Sequence, residues 1–337
     1  MKTLKEREWF FSQEKEEFPC TNPDTHYDVY RLKSTRQVIC DIEVISGLPG
    51  EPVTIGVTAD LHFNFCNMED RADEELAYTE QCRHWLENQK SVVAAVKALE
   101  AADYCDAAVV VGDTLDYLSR GAISLTKTHL IKKYPDIMMA LGGHDYTKQM
   151  QTKRPDLLPL SERLDMLRAF WPHDIHYYSR DIKERVIAVI LDNSQSKYLP
   201  GQAELLTADI ERARREGKVI VIFQHEPITP RNPEYAKISA NIVNGGAIST
   251  VDFGAAADVV GDVRTSNSDT LAVYELITSN ADVVKAIVCG HWHSQFYTDV
   301  TASYKDGEKN VQTVIPQYII SGNPYHEAGF VARITVK

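Results

Sequence analysis

No run of apolar residues in this chain approaches the ~18–20 needed to cross a bilayer. The opening stretch, Met1-Lys-Thr-Leu-Lys-Glu-Arg-Glu-Trp-Phe-Phe, is charged and lacks the apolar core of a secretory leader. Cysteine is sparse and scattered: Cys20, Cys40, Cys66, Cys82, Cys105 and Cys289 form no Cys-x-x-Cys pair, which argues against a thiolate zinc site or a disulfide framework. Basic residues are outnumbered, 36 Lys and Arg against 48 Asp and Glu, for a formal net charge of −12. A surface of that sign repels the phosphate backbone, so a general nucleic-acid binder is disfavoured. It does not exclude chemistry on phosphate, because bound cations reverse the local field in an acidic pocket. Internal repeats and low-complexity tracts are also missing. Together these absences predict a cytoplasmic protein, or one exported by an unusual route, with no membrane association.

What is present is a globular composition, 44% hydrophobic and 25% charged over 337 residues, which is ample to bury a core without covalent staples. Residues 1–36 read as an N-terminal extension of unassigned role, and 37–337 as one layered domain. Gln37 to Ile45 and Val53 to Thr58 carry β-branched residues around the turn Gly47-Leu-Pro-Gly-Glu-Pro52, and predict an opening hairpin. From Glu74 to Glu100 the apolar spacing is helical, with Trp85, Val92, Val96 and Leu99 in one stripe. Helices are also predicted over Ser124 to Lys133 and Gln202 to Arg215. Short buried strands are predicted at Ala107–Val111, Ile137–Leu141, Val186–Leu191, Val219–Phe223 and Val284–Cys289. The last stretch turns to strands alone, at Phe296–Ala302, Val311–Ile315, Gln317–Ile320 and Val331–Val336. Alternating strands and helices indicate an α/β fold with largely parallel pairing and a β-rich C-terminal part. The segment Pro227 to Asp269 is rich in Pro, Asn, Gly and Ser without sustained periodicity, and reads as a lid or substrate-facing insertion.

The residues that follow the strands carry the chemistry. They are Asp60-Leu-His62, Gly112-Asp-Thr-Leu-Asp116, Gly142-Gly-His-Asp145, Gln224-His-Glu-Pro227 and Gly290-His-Trp-His293. In an open α/β sheet the ligand crevice lies outside the carboxyl ends of the strands. Five such ends would gather Asp60, His62, Asp113, His144, His225, His291 and His293 into one pocket. A spacing of two, in Asp60-x-His62 and His291-x-His293, puts both side chains on one side of an extended segment. Imidazole with carboxylate is a ligand set for Zn, Mn or Fe, and this set is too large for one ion. Two cations sharing a bridging carboxylate suit phosphoryl-ester hydrolysis, with an activated water as nucleophile and an unligated His protonating the leaving oxygen. Of 11 histidines, the six outside these motifs (His26, His84, His129, His173, His176, His326) are assigned to the surface or to hydrogen-bonded core positions.

This ordered motif series resembles the calcineurin-like metallophosphoesterase superfamily from about residue 50 onward. The resemblance implies a four-layer α/β/β/α sandwich and a hydrolase of phosphoric esters, monoester or diester. By position it implies that Asp60, His62 and His293 hold one metal, Asp113 bridges two, and His225 with His291 holds the second. His144 would be the general acid or a phosphate contact, oriented by Asp116. One departure stands out: where the family pattern has an Asn ligand for the second metal, this chain has Gly143, which predicts a weak or exchangeable second ion. Asn64 and Arg120 are candidate substrate contacts, and Gly322-Asn-Pro-Tyr-His326 follows a strand and could face the pocket. The preferred substrate is a small phosphorylated metabolite or nucleotide. A non-catalytic metal-binding module of the same fold and a metal-dependent nuclease are the competing readings. Oligomeric state carries no sequence signal.

Overall fold

The computed structural model describes residues 2–18, 28–83, 88–147, 158–229, 251–252, 268–293, 295–320, 322 and 329–337. Two mixed sheets form its centre. The first contains β1 (Lys15–Glu17), β2 (Asp28–Leu32), β3 (Val38–Val44), β4 (Val53–Thr58), β5 (Ala107–Val111), β6 (Met138–Ala140) and β15 (Phe330–Val336), in the order β1-β2-β3-β15-β4-β5-β6. The second contains β7 (Tyr177–Ile182), β8 (Val186–Leu191), β9 (Val219–Phe223), β12 (Val284–Cys289), β13 (Phe296–Asp306) and β14 (Lys309–Ile319), in the order β13-β14-β12-β9-β8-β7. A separate parallel pair joins β10 (Ile228–Thr229) to β11 (Val251–Asp252).

Alternation along the strands explains the layering. In β8, Val186, Ala188 and Ile190 face the first sheet and pack with Val57, Val109, Val221 and Ile334. The intervening Ile187, Val189 and Leu191 face outward onto Leu206 and Ile210 of helix α6 (Gln202–Glu216) and Val273 and Ile277 of α7 (Ser268–Thr278). A strand buried on both faces must be apolar throughout, as this one is. On the far side of the first sheet, Val110 and Met139 pack against Leu99 of α3 (Asn88–Ala102) and Leu164 and Leu167 of α5 (Leu160–Arg168). The result is helix, sheet, sheet, helix. Each fully buried Val or Ile in the two middle layers adds about 1.5–3 kcal/mol relative to exposure.

Three expectations are corrected. Strands β3 and β4 do not form a hairpin, because β15 lies between them, parallel to β3 and antiparallel to β4. Its apolar face, Phe330, Ala332, Ile334 and Val336, is fully buried in the inter-sheet core, which a two-stranded hairpin would have left open. The helical stretch from Glu74 is two helices, α2 (Glu74–Cys82) and α3, with Arg83 ending the first. The helix predicted at Ser124 begins earlier, as α4 (Arg120–Thr126) capped by the Ser119 hydroxyl, and continues as a π-turn over Lys127–Ile131.

The N-terminal residues belong to the same sheet. In α1 (Leu4–Phe11), Phe10 packs with Tyr30, Leu32, Ile39 and Val331, and β2 pairs antiparallel with β3. Of the predicted 227–269 insertion, only the β10–β11 pair and the start of α7 fall within the described residues. Among those residues, no helix is long and apolar enough to cross a membrane.

His173 links the layers and makes a stability prediction. Its Nε2 accepts the Met139 amide N–H at 2.9 Å, its Nδ1 donates to the Asp174 carbonyl at 2.8 Å, and its ring stacks on Tyr178. Nε2 must therefore stay unprotonated, and burial holds the pKa down at about 4, against about 6.5 when unfolded. The unfolded chain binds the extra proton between those values, so the native state is favoured above pH 6.5 and loses stability as pH falls toward 4. On this account the wild type should lose about 2 kcal/mol more than His173→Gln between pH 7.5 and 4.5. Urea midpoints at the two pH values measure it; equal losses in the two proteins would refute the assignment.

Candidate metal centre

The strand ends are bent, not extended. Asp60 (φ 50°), His62 (46°), Asp113 (49°), His291 (74°) and His293 (50°) all occupy the left-handed region, which costs a non-glycine residue of order 1–3 kcal/mol. Spacing of two therefore works by a different route from the one expected. Each pair sits on two left-handed kinks, while Leu61 and Trp292 between them go into the core. Neighbouring loops hold the kinks in place: Asp60 N–H donates to the Gly112 carbonyl at 3.1 Å, His62 N–H to the Asp113 carbonyl at 3.0 Å and Phe63 N–H to the Thr114 carbonyl at 2.8 Å. Two glycines permit the close approach. A Cβ on Gly112 would lie 2.3 Å from His225 Nδ1, and one on Gly142 would lie 2.1 Å from Asp113 Oδ1.

Two donor groups result, sharing Asp113. Asp60, His62, Asp113 and His293 converge with their donor atoms within 4.8 Å of one another, and Asp113, His225 and His291 do the same. In the first group His62 Nε2 is 3.1 Å from His293 Nε2, and His293 Nε2 is 3.1 Å from Asp60 Oδ1. In the second, His225 Nε2 is 3.2 Å from both Asp113 Oδ2 and His291 Nδ1. Asp60, His62, Asp113, His225 and His293 are each at most one-fifth exposed.

Hydrogen bonding on the far side of each ring tests whether a cation fits. The Val111 carbonyl can only accept, so His225 Nδ1 donates to it at 2.9 Å, which turns the Nε2 lone pair toward the Asp113 carboxylate. His62 Nδ1 donates to Asp116 Oδ1 at 2.9 Å, which turns its Nε2 toward His293. Lone pairs facing lone pairs and a carboxylate oxygen repel unless a positive charge lies between them. This is the donor arrangement of a divalent transition-metal site, with each imidazole oriented from behind by an acceptor.

Without a cation, a proton on His225 takes the place of the positive charge that this donor set requires. Burial opposes ionisation of Asp60 and Asp113, but His293 beside the first, and His225 and His144 beside the second, outweigh it and hold both carboxyls low. Burial would likewise discharge His225, yet Asp113 and Asp60 push it up to about 10. His291, disfavoured by burial and by the charge on His225, falls to about 3. Asp145 is raised to about 7 by burial and by Asp113; its oxygens accept the Leu115 and Gly142 amides and tie two site loops together.

The structure places the remaining candidates as follows. His144 lies on the rim, with Nε2 4.0 Å from Asp113 Oδ2, and its backbone N–H donates to Asp113 Oδ1 at 3.0 Å. Its Nδ1 donates to the main-chain carbonyl of Asp116 at 2.8 Å, while the Asp116 carboxylate is 3.5 Å away. That carboxylate serves His62 first. Asn64 is fully buried, donating to Asp116 Oδ2 at 2.7 Å and accepting from the Tyr117 hydroxyl at 3.0 Å, so it braces Asp116 and presents no group to a substrate. Arg120 is exposed and paired with Glu69 at 2.7 Å, and its backbone N–H, not its guanidinium, is what the loop uses, bonded to Asp70. Gly322 packs on Asp60 and His293; the rest of the segment through residue 326 lies outside the described residues.

Arg83 was missed. Its Nε donates to Asp116 Oδ2 at 2.9 Å and its Nη2 to Oδ1, making a buried bidentate ion pair behind His62. Burial opposes ionisation of Asp116, but hydrogen bonds from His144, His62 and Arg83 hold its carboxyl far below the ordinary range. Nothing in the local pattern marked an arginine at a helix end; only the three-dimensional return of α2 to the site reveals it.

No curated protein matches the chain. Similar solved structures include a dimetal phosphatase from Danio rerio (15% identity, 82% of this chain and 90% of that one, TM-score 0.41). A purple acid phosphatase, PPD1, from yellow lupin seeds is 11% identical, over 88% of this chain and 49% of that one, with a TM-score of 0.44. PhoD is 10% identical, over 88% of this chain and 62% of that one, with a TM-score of 0.44. The family model for calcineurin-like phosphoesterases matches residues 53–295. With that match over most of its length, the chain belongs to the calcineurin-like phosphoesterase family and is a metal-dependent hydrolase of phosphoric esters.

Proposed function

We propose that the substrate is a small phosphorylated metabolite or nucleotide, and that the ester is cleaved at the two donor groups with His144 as general acid. The observation that carries this reading is the sharing of Asp113 by both groups, with His144 Nε2 4.0 Å from its carboxylate. Asp60, His62, Asp113 and His293 would hold one divalent cation, and Asp113, His225 and His291 a second; imidazole with carboxylate suits Mn, Zn or Fe. When bound, such cations supply the positive charge that activates a water and neutralises phosphoryl oxygens.

The chain's own residues do the rest. Asp116, held by Arg83 and Asn64, fixes the His62 tautomer so that Nε2 faces inward. The Asp116 carbonyl fixes the His144 tautomer, leaving Nε2 on the rim to carry a proton to the departing oxygen. In the metal-free chain burial opposes a charge on His144, but Asp113 and Asp116 outweigh it and raise its pKa. The acidic overall charge supports a compact substrate over a polymeric nucleic acid, which would be repelled at long range.

Leaving-group dependence tests the assignment of His144. After manganese reconstitution, His144→Ala should lower kcat by about 10²–10⁴-fold on an alkyl phosphate ester, whose leaving oxygen needs the proton. The loss should be at least about tenfold smaller on a nitrophenyl ester, which leaves readily as the anion. Equal losses on both esters would assign His144 to binding and remove it as the acid.

A further inference from the structure

The two donor groups are unequal. One offers four protein ligand atoms and the other three, and among the described residues no further His, Cys, Asp or Glu joins the second. Gly143 lies beside that group without a side chain, between Gly142, which abuts Asp113, and His144, whose backbone N–H donates to Asp113 Oδ1 at 3.0 Å. An ideal Cβ on Gly143 meets a single heavy atom within 4 Å, the Ser194 carbonyl oxygen at 3.7 Å, which already accepts from the Tyr146 hydroxyl. The adjacent Gly142 is the opposite case, crowded against Asp113. Among the described residues, a Cβ at position 142 would clash with Asp113, whereas one at position 143 would make only ordinary contact.

We propose that this inequality couples the second cation to the phosphorylated ligand: the position formed by Asp113, His225 and His291 fills strongly only when an oxyanion from the substrate or product adds a fourth donor to the three that the described residues provide. The inference rests on the two-cation reading above and adds to it a linkage that an equal pair of sites would lack. Linkage is reciprocal, so whatever factor phosphate adds to the affinity for the second cation, that cation adds to the affinity for phosphate. The first position, with four donors, should fill without phosphate. The chain would then rest with one ion and reach its two-ion form with substrate present, which makes the working state responsive to free metal and to substrate jointly.

The test is manganese binding to the full chain, read by equilibrium dialysis and by the spin resonance of free Mn²⁺, with and without inorganic phosphate. The expected result is one ion bound at least tenfold more tightly than the second, with phosphate tightening the second alone by fivefold or more. Phosphate binding, measured separately by calorimetry, should strengthen by the same factor when manganese is raised from one to two equivalents. Gly143→Asn, whose Cβ would meet only the Ser194 carbonyl oxygen at 3.7 Å among the described residues, should bind two ions without phosphate and show a coupling factor near one. Two equally tight ions in the wild type without phosphate would overturn the inference and leave the two-cation reading intact. So would phosphate tightening both ions equally. Absence of any tight ion under either condition would instead overturn the two-cation reading itself.

Discussion

Asp113→Asn is expected to lower phosphoester hydrolysis by at least about 10³-fold, some 4 kcal/mol of transition-state stabilisation, while leaving the fold intact. Asp113 is the one side chain common to both donor groups, so a single change removes negative charge from both. Asparagine keeps the shape and can still accept the His144 amide that now bonds Oδ1. It cannot balance two cations beside His225 and His62. Initial rates on a chromogenic aryl phosphodiester with added manganese measure the effect, alongside bound-metal stoichiometry and a thermal melt. Activity within tenfold of wild type, with full metal content, would show that Asp113 is not shared. Rate loss with unchanged stoichiometry would move its role from holding cations to aligning substrate.

Arg83→Met is expected to destabilise the protein by about 3–5 kcal/mol, because it strands a buried carboxylate. The guanidinium is 9% exposed and the Asp116 carboxyl fully buried, so water cannot take over the lost partner. A second effect separates this from ordinary structural damage. Asp116 holds the His62 ring, so loosening it should weaken manganese binding by about 10–100-fold, as loss of a carboxylate–histidine contact does at other metal sites. Arg83→Lys keeps the charge but not the two-pronged geometry, and should recover part of both losses. Urea unfolding of the metal-free protein gives the first number and dialysis against manganese the second. Stability within 1 kcal/mol of wild type would show that Asn64 and His62 alone satisfy Asp116. A double-mutant cycle with Asp116→Asn then apportions the pair.

How legible these features were depended on how local their causes are. Strands β8, β9 and β12 were read to the residue, because a strand buried on both faces is apolar at nearly every position, Lys285 in β12 being the exception, and each ends where an Asp, Gln or Gly breaks the run. The convergence of Asp60, His62, Asp113, His225, His291 and His293 was legible too, because each lies within a few residues of the end of a buried strand, where an α/β sheet opens its crevice. Strand β1, Lys-Glu-Glu, was invisible, since it is three charged residues held by pairing to β2 and by the Arg31–Glu16 ion pair. Register between distant segments was invisible too. Nothing near Val38 or Val53 announces that Phe330–Val336 will separate them, and nothing near Arg83 announces Asp116. The seat of Asn64 was invisible as well, because its neighbours in sequence, Phe63 and Phe65, say nothing of Asp116 and Tyr117 closing over it.

The seat of β15 has a consequence for how the molecule is made. It fills the gap between β3 and β4, yet it is translated about 270 residues after β4, tens of seconds later at 5–20 residues per second. During that interval both neighbours carry an unpaired edge flanking the strand that leads into Asp60. Open apolar edges of this kind invite pairing with the wrong chain. A chain lacking residues 330–336 would thus expose both edges and be a client for chaperones rather than a partly working enzyme.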